Sequence, residues 1–345
     1  MKKKDLLKET IKHIDIKKYD STELIDAMRG MSFTSRDTSR AADILTMMCR
    51  EKECTNILTV AGSTSAAGCM QVYVDMVRNK MIDVVVATGA TIIDMDLFEA
   101  LGFKHYVGTK ENVIPDTKLR ELYIDRIYDT FIDEEELQVC DNTTYLLANS
   151  LEARPYSSRE FLYELGKWLH EGNSVKKDSL IQSCYECGVP IFVPAFSDCS
   201  AGFGIGKHQW ERSNEGKPYL SIDSVRDFIE LTQIKMQAPE SGLFMVGGGS
   251  PKNFAQDTVV CAEILGHEVP MHKYAIQITV ADVRDGACSS STLLEAGSWG
   301  KVDDELQQMV YAEGTTVIPA IVSYAYHNNC WKEREYKNWQ RLFQK

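Results

Sequence analysis

Glu295, Trp299 and Lys301 fall close together in Leu294-Glu295-Ala296-Gly297-Ser298-Trp299-Gly300-Lys301. A lysine ammonium is a poor nucleophile at neutral pH. A dry, apolar wall disfavours its charged form and frees the amine for imine chemistry. Trp299 can supply that wall, and also a face for a cationic ligand. Gly300 permits close backbone approach, and Glu295 brings a carboxylate to the same segment. The same residues also suit a surface turn carrying a solvated lysine, so the choice rests on what surrounds them.

Further residues with chemical potential follow apolar runs. Gly62-Ser63-Thr64, Thr88-Gly89-Ala90, Asp198 and Gly247-Gly248-Gly249 each close one such run. Glycines at strand ends let backbone N–H groups meet a phosphate or a ring pack closely. Gly202-Phe203-Gly204-Ile205-Gly206-Lys207 fails the dinucleotide fingerprint, because Lys207 stands where the third glycine belongs. It is expected to be a flexible loop. The histidines show no metal spacing. His105 is expected to be packed or at the surface, and His208, beside Trp210, to lie in a loop at the surface or near substrate. Cys184-Tyr185-Glu186-Cys187 has zinc-knuckle spacing but no second pair, so both thiols read as structural, near a helix end before Gly188.

The elements that must position these residues alternate. Residues 1–50 read as an amphipathic helical arm or outer layer. From there, strands are expected over 56–61, 82–87, 191–194, 243–246, 274–280 and 316–318. Helices are expected over 67–78, 94–101, 224–237 and 251–265, with one ending near 187 and one over 158–170 as a peripheral insertion. Unbroken β-branched strands belong to parallel sheets covered on both faces. The fold expected is therefore α/β: a doubly wound, mainly parallel, Rossmann-like sheet with helices on both faces and an N-terminal helical extension. One domain over 51–345 follows the arm, and ligands are expected beyond the carboxyl ends of the strands.

Composition narrows the partners. The chain has 345 residues, enough for a large core, and a net charge of −12. That balance argues against nucleic acid and suits a small cationic substrate. No apolar run is long enough for a membrane helix, and the basic start is not followed by the apolar stretch of a secretory signal. Ten cysteines then read as free thiols in a reducing cytoplasm.

Glu295-Ala296-x-Ser298-Trp299-Gly300-Lys301 resembles the active-lysine motif of the deoxyhypusine synthase family. Thr88-Gly89-Ala90, Pro194-Ala195-Phe196-Ser197-Asp198, Gly247-Gly248-Gly249-Ser250-Pro251-Lys252 and Val310-Tyr311-Ala312-Glu313 resemble further family motifs in the same order. The resemblance runs from about Gly62 to about Pro319. It implies NAD held by Ser63, Thr88, Gly89, Ala90, Asp198, Gly247, Gly248, Asp282, Gly286 and Glu313, with Glu313 at the adenosine ribose. It implies a hydride taken from the secondary amine of spermidine, capture of the imine by Lys301, and aminobutyl transfer to an acceptor amine. Trp299 would wall the donor and Glu295 would hold an ammonium. It also implies a homotetramer with active sites shared between two subunits.

Three positions depart from the family pattern. Phe203 and, on a gap-free count, Cys288 stand where aspartates grip the donor, and Asn253 stands where a histidine follows the glycine-lysine segment. Lost carboxylates weaken the hold on a dication, and asparagine cannot titrate. The expected activity is therefore transfer onto a small amine, such as putrescine to give homospermidine. The alternatives are a true deoxyhypusine synthase acting on a lysine of translation factor 5A, and a non-catalytic protein that binds NAD and a polyamine.

Overall fold

The computed structural model describes residues 2–109 and 113–344; Met1, where the basic start begins, lies outside them. Strands in chain order are β1 (Cys54–Val60), β2 (Val84–Ala87), β3 (Tyr106–Val107), β4 (Ile124–Ile127), β5 (Thr130–Asp133) and β6 (Pro155–Tyr156). They continue with β7 (Ile191–Phe192), β8 (Ser221–Ile222), β9 (Glu240–Val246), β10 (His272–Thr279) and β11 (Val302–Tyr311). Six of them form one parallel sheet in the order β11-β10-β9-β1-β2-β7. The expected doubly wound α/β architecture is present.

The sheet is buried on both faces because its strands alternate two apolar sets. Leu58, Val60, Val85, Ala87, Phe244, Val246, Ile276 and Ile278 enter the larger core. The helices Thr34–Arg50, Met70–Arg78 and Gly314–His327 supply Leu45, Met48, Val72, Ile318 and Ile321 to it. Ile57, Val84, Val86, Leu243, Met245 and Ala275 point the other way, toward Leu231, Ile234, Ala255 and Leu293. Those four come from helices Ser224–Gln237, Gly249–Gln256 and Leu293–Ser298.

Register aligns the carboxyl ends. Val60 faces Ala87 and Val246, and Thr279 faces Tyr311. A separate antiparallel sheet, β3-β5-β4, carries the Tyr128–Asp129 turn to the same end of the molecule.

Four expectations are corrected. Residues 316–318 are not a strand but lie in the helix Gly314–His327, after the last strand of the sheet. Their β-branched side chains suggested a strand, but Glu313 caps the helix by accepting from Thr315 N, and Val317, Ile318, Ile321, Val322 and Ala325 repeat at helical spacing. The last strand is instead β11, at the sheet edge and half-exposed along most of its length. Its Asp303-Asp304-Glu305 and Gln307-Gln308 runs are the polar signature of an edge.

Residues 202–207, expected as a loop, lie in the helix Ser200–Asn214. Gly204 is a packing device: a Cβ there would stand 2.1 Å from Thr144 Oγ1 and 2.3 Å from the Asp141 carbonyl, so glycine lets this helix press against Glu134–Ser150. His208 is accordingly helical and buried rather than in a loop. Its Nδ1 lies 2.8 Å from Asn149 Oδ1, and Nε2 accepts from Leu220 N at 3.0 Å. The accepting nitrogen means a neutral ring, and burial together with nearby Arg212 lowers its pKa.

The helix Ser158–Trp168, expected as a peripheral insertion, packs into the larger core through Phe161, Leu162 and Leu165. Ser158 Oγ accepts from Val193 N at 2.8 Å, which ties the helix to the end of β7. His105 is packed, with Nδ1 2.9 Å from Glu99 Oε1. Cys184 and Cys187 are buried free thiols on Leu180–Cys187, which ends at left-handed Gly188.

Candidate active site

A cleft of about 700 Å³ opens beyond the carboxyl ends of β1, β9 and β10, within the roughly 300–1,000 Å³ range of cofactor sites. Ser63, Gly247, Gly248 and Glu313 line it, as do Ser289, Ala281 and the hairpin residues Ile127–Thr130. Helices Gly249–Gln256 and Gly314–His327 both begin here, so the positive ends of two helix dipoles converge, with Gly249 N held by Ser289 Oγ at 3.0 Å and Thr315 N by Glu313. Gly62 floors the cleft at φ +93°, and a Cβ placed there would meet nothing within 4 Å. The bare glycine floor leaves room for a ligand to approach the backbone closely.

Glu313 accepts from Thr315 N at 3.0 Å and from the Thr315 hydroxyl. Burial works to raise its pKa, but these bonds and those from Thr316 outweigh burial and hold it below the usual range. An ionised carboxylate at the rim is an acceptor for ribose hydroxyls. The arrangement fits a dinucleotide.

Thr88, Gly89, Ala90 and Asp198 form an adjoining group rather than part of the cleft lining. Thr88 N donates to Val60 O at 3.0 Å, and Thr91 Oγ1 donates to Gly62 O at 3.4 Å. A Cβ on Gly89 would lie 2.4 Å from Cys199 Sγ, which puts this turn against the Asp198–Cys199 segment. Asp282 and Gly286 lie on the exposed loop after β10, where Asp282 pairs with Arg284 at 2.7 Å.

Lys301 gathers a second constellation. Its Nζ lies 2.5 Å from Asp257 Oδ1 and 5.2 Å from the centroid of the Trp299 ring. Asn253 Nδ2 donates to the other Asp257 oxygen at 2.8 Å. Lys252, buried on the same helix as Asn253, donates to the carbonyls of Cys288, at 3.0 Å, and Ser291. Burial pushes the Lys252 pKa down to about 8. Glu295 is exposed in the first turn of Leu293–Ser298, whose cap Thr292 Oγ accepts from Glu295 N at 3.1 Å.

The fold therefore brings Lys301, Trp299 and Asn253 together, with Cys288 and Glu295 beside Lys252. It does not bring Phe203 to them. Phe203 follows β7 at one edge of the sheet, whereas Trp299 precedes β11 at the other. Five strand spacings of ~4.8 Å separate those edges. Both aromatic rings are exposed, at 67% and 66%. Lys301 also lies away from the cleft: its carbonyl accepts from His272 N, at the start of β10, while the cleft meets the other end of that strand.

Asp257 and the Tyr128–Asp129 turn were not singled out in the sequence, and Lys252 was read only as the end of a glycine-rich motif. The i,i+4 spacing of Asn253 and Asp257 on a helix is the signal that could have flagged Asp257. Among the described residues no group of three or more His, Cys, Asp and Glu is placed to hold a metal ion, and no helix is long and apolar enough to cross a membrane.

Comparison with known proteins supplies the family. The sequence profile described as deoxyhypusine synthase matches residues 23–325. A deoxyhypusine synthase-like protein of Caulobacter vibrioides is 64% identical over 343 residues, covering 99% of this chain and 93% of that protein. One from Coxiella burnetii is 59% identical over 341 residues, covering 99% and 96%. Among solved structures, a chain from Entamoeba histolytica assigned to the deoxyhypusine synthases matches with a TM-score of 0.59 at 19% identity, over 95% of this chain and 99% of that one. That likeness speaks for the fold alone. The profile and the curated relatives carry the assignment: the chain belongs to the deoxyhypusine synthase family.

Proposed function

We propose that the protein is an NAD-dependent aminobutyl transferase that moves the four-carbon unit of a polyamine through a Lys301 imine onto a small amine. The observation that carries this reading is the setting of Lys301, an amine held against an indole and a carboxylate with an asparagine fixing that carboxylate. The nicotinamide, when bound, accepts a hydride from the donor's amine carbon and later returns it. Glycine-rich backbone and Glu313 of one chain would hold the cofactor, while Trp299 and Glu295 of a second chain would orient a cationic donor, because Lys301 lies away from the cleft of its own chain.

Phe203, Asn253 and Cys288 support the small-amine version. Neither Phe203 nor Cys288 can pair with an ammonium as a carboxylate does, although a ring face still offers about 0.5–2 kcal/mol to a cation. The pocket should then tolerate donors and acceptors of differing charge spacing. The test is a panel with NAD in which spermidine, putrescine and agmatine compete as amines against the lysine of translation factor 5A. We expect small-amine products at least ~10-fold faster than protein labelling. Faster labelling of the protein would restore the plain deoxyhypusine synthase reading.

The cleft also sets a cofactor preference. Among the described residues its lining holds Asp129 and Glu313 and no Lys, Arg or His. A 2′-phosphate would meet like charge with no cation to offset it, at a cost of several kcal/mol. NADP should bind at least ~100-fold more weakly than NAD. Fluorescence titration of both checks this, and equal affinities would contradict the proposed cofactor orientation.

A further inference from the structure

An amine that is to attack carbon must first lose a proton. Asp257 follows the helix Gly249–Gln256, and its Oδ1 lies 2.5 Å from Lys301 Nζ. Its other oxygen is fixed by Asn253 Nδ2 at 2.8 Å, so the carboxylate is aimed rather than free to swing. The Lys301 side chain is 12% exposed, and among the described residues no other carboxylate lies within ion-pair distance of its amine.

The neighbouring groups do not serve. Trp299 has no proton to exchange at this pH, and Asn253 does not titrate. Lys252 is occupied by two backbone carbonyls. His272, whose N–H meets the Lys301 carbonyl, is fully buried; burial holds its pKa well below the ordinary value and the ring stays neutral. Glu295 is exposed on the helix Leu293–Ser298, and Asp303 on β11 accepts from Glu305 N at 2.9 Å.

We propose that Asp257 is the proton acceptor for Lys301 and relays that proton to the departing amine. The inference rests on the transferase reading above, with an oxidised nicotinamide cofactor as the hydride acceptor that generates the donor iminium. Lys301 Nζ gives one proton to Asp257 Oδ1, and its freed lone pair bonds to the iminium carbon. The bond from that carbon to the leaving nitrogen breaks with its electron pair going to that nitrogen. For this, Asp257 hands its proton to the leaving nitrogen, takes the second proton of Lys301 Nζ so that the lysine lone pair can form the C=N bond, and passes that proton on as well. The amine departs as an ammonium, Asp257 returns to carboxylate, and the four-carbon unit remains as an iminium on Lys301. Net charge is the same before and after.

The test separates the proton function from overall turnover. Purified protein, Asp257→Asn and Asp257→Glu are treated with butanal and cyanoborohydride, without cofactor or polyamine, across pH 6 to about 10. Alkylation of Lys301 is read by peptide mass spectrometry against exposed Lys18 in the same sample. Asp257→Asn takes away the anion 2.5 Å from the Lys301 amine, so its labelling profile should move to lower pH. Near neutrality its labelling should then be faster, by roughly tenfold for every pH unit the profile moves. Asp257→Glu should stay near the parent profile. With donor and NAD, turnover of Asp257→Asn should fall at least ~50-fold although its lysine is more reactive, a pairing that simple misfolding does not give. An unmoved labelling profile overturns the Asp257–Lys301 assignment, and a moved profile with unchanged turnover overturns the relay. If the parent protein turns over no amine, the transferase reading fails, while the labelling profile still decides the assignment.

Discussion

Lys301→Arg should abolish the borohydride-trappable adduct formed with NAD and spermidine and lower product formation at least ~1,000-fold. Arginine keeps a positive charge opposite Asp257 and a flat group beside Trp299, so the local ion pair and cation–π contact have a substitute. A guanidinium keeps its proton at any working pH and cannot form the imine. NAD affinity should be nearly unchanged, because Lys301 does not line the cofactor cleft. Rate and adduct are read together, with a cofactor titration on the same preparation. Adduct on another lysine, such as the neighbouring Lys252, would move the covalent role away from Lys301.

A second large effect concerns mixing. Phe203 and Trp299 sit at opposite edges of one sheet and both rings stand in solvent, so one chain cannot wall a donor with both. A two-fold pair of chains can, if the Asp198–Phe203 edge of one meets the Lys301 edge of the other. Lys301→Ala and Asp198→Ala should each fall below ~1% of parent turnover when alone. After co-refolding or co-expression, random pairing makes half of the pairs heterodimers with one intact site each, so about one quarter of parent activity should return. No recovery, despite exchange of subunits shown by mass, would mean that each chain builds its own site. Sedimentation of the parent should show a species of four times the 38.9 kDa chain mass.

The inner strands were legible because burial on both faces favours apolar runs, unbroken in Val84–Ala87 and carried in Cys54–Val60 by Ile57, Leu58 and Val60. The logic fails at the edge. β11 faces solvent along much of its length, and its acids and amides carry no strand signature. Thr316, Val317 and Ile318 carry that signature but start a helix, because the Glu313 cap and the apolar face outweigh weak local preference. Gly202, Gly204 and Gly206 spelled a loop because sequence does not show that Thr144 and Asp141 leave no room for a side chain at Gly204.

The candidate site shows a similar division. Lys301, Glu295 and Trp299 share one short segment and could be read together. Asp257 acquires meaning only when folding places it against a lysine far along the chain. The hairpin turn at Tyr128–Asp129 has no motif of its own and reaches the cleft through the packing of the small sheet.

The acidic run Asp303-Asp304-Glu305 that hid β11 from a reader of the sequence also hides it from other chains. A sheet edge is an open row of donors and acceptors, ready to recruit strands from any molecule nearby. A newly made chain exposes this row to every other molecule around it. The acids along it disfavour indiscriminate backbone pairing, above all with a second copy of the same strand. Swapping those acids for valines would make the strand easy to recognise on paper and the protein prone to clump in the tube.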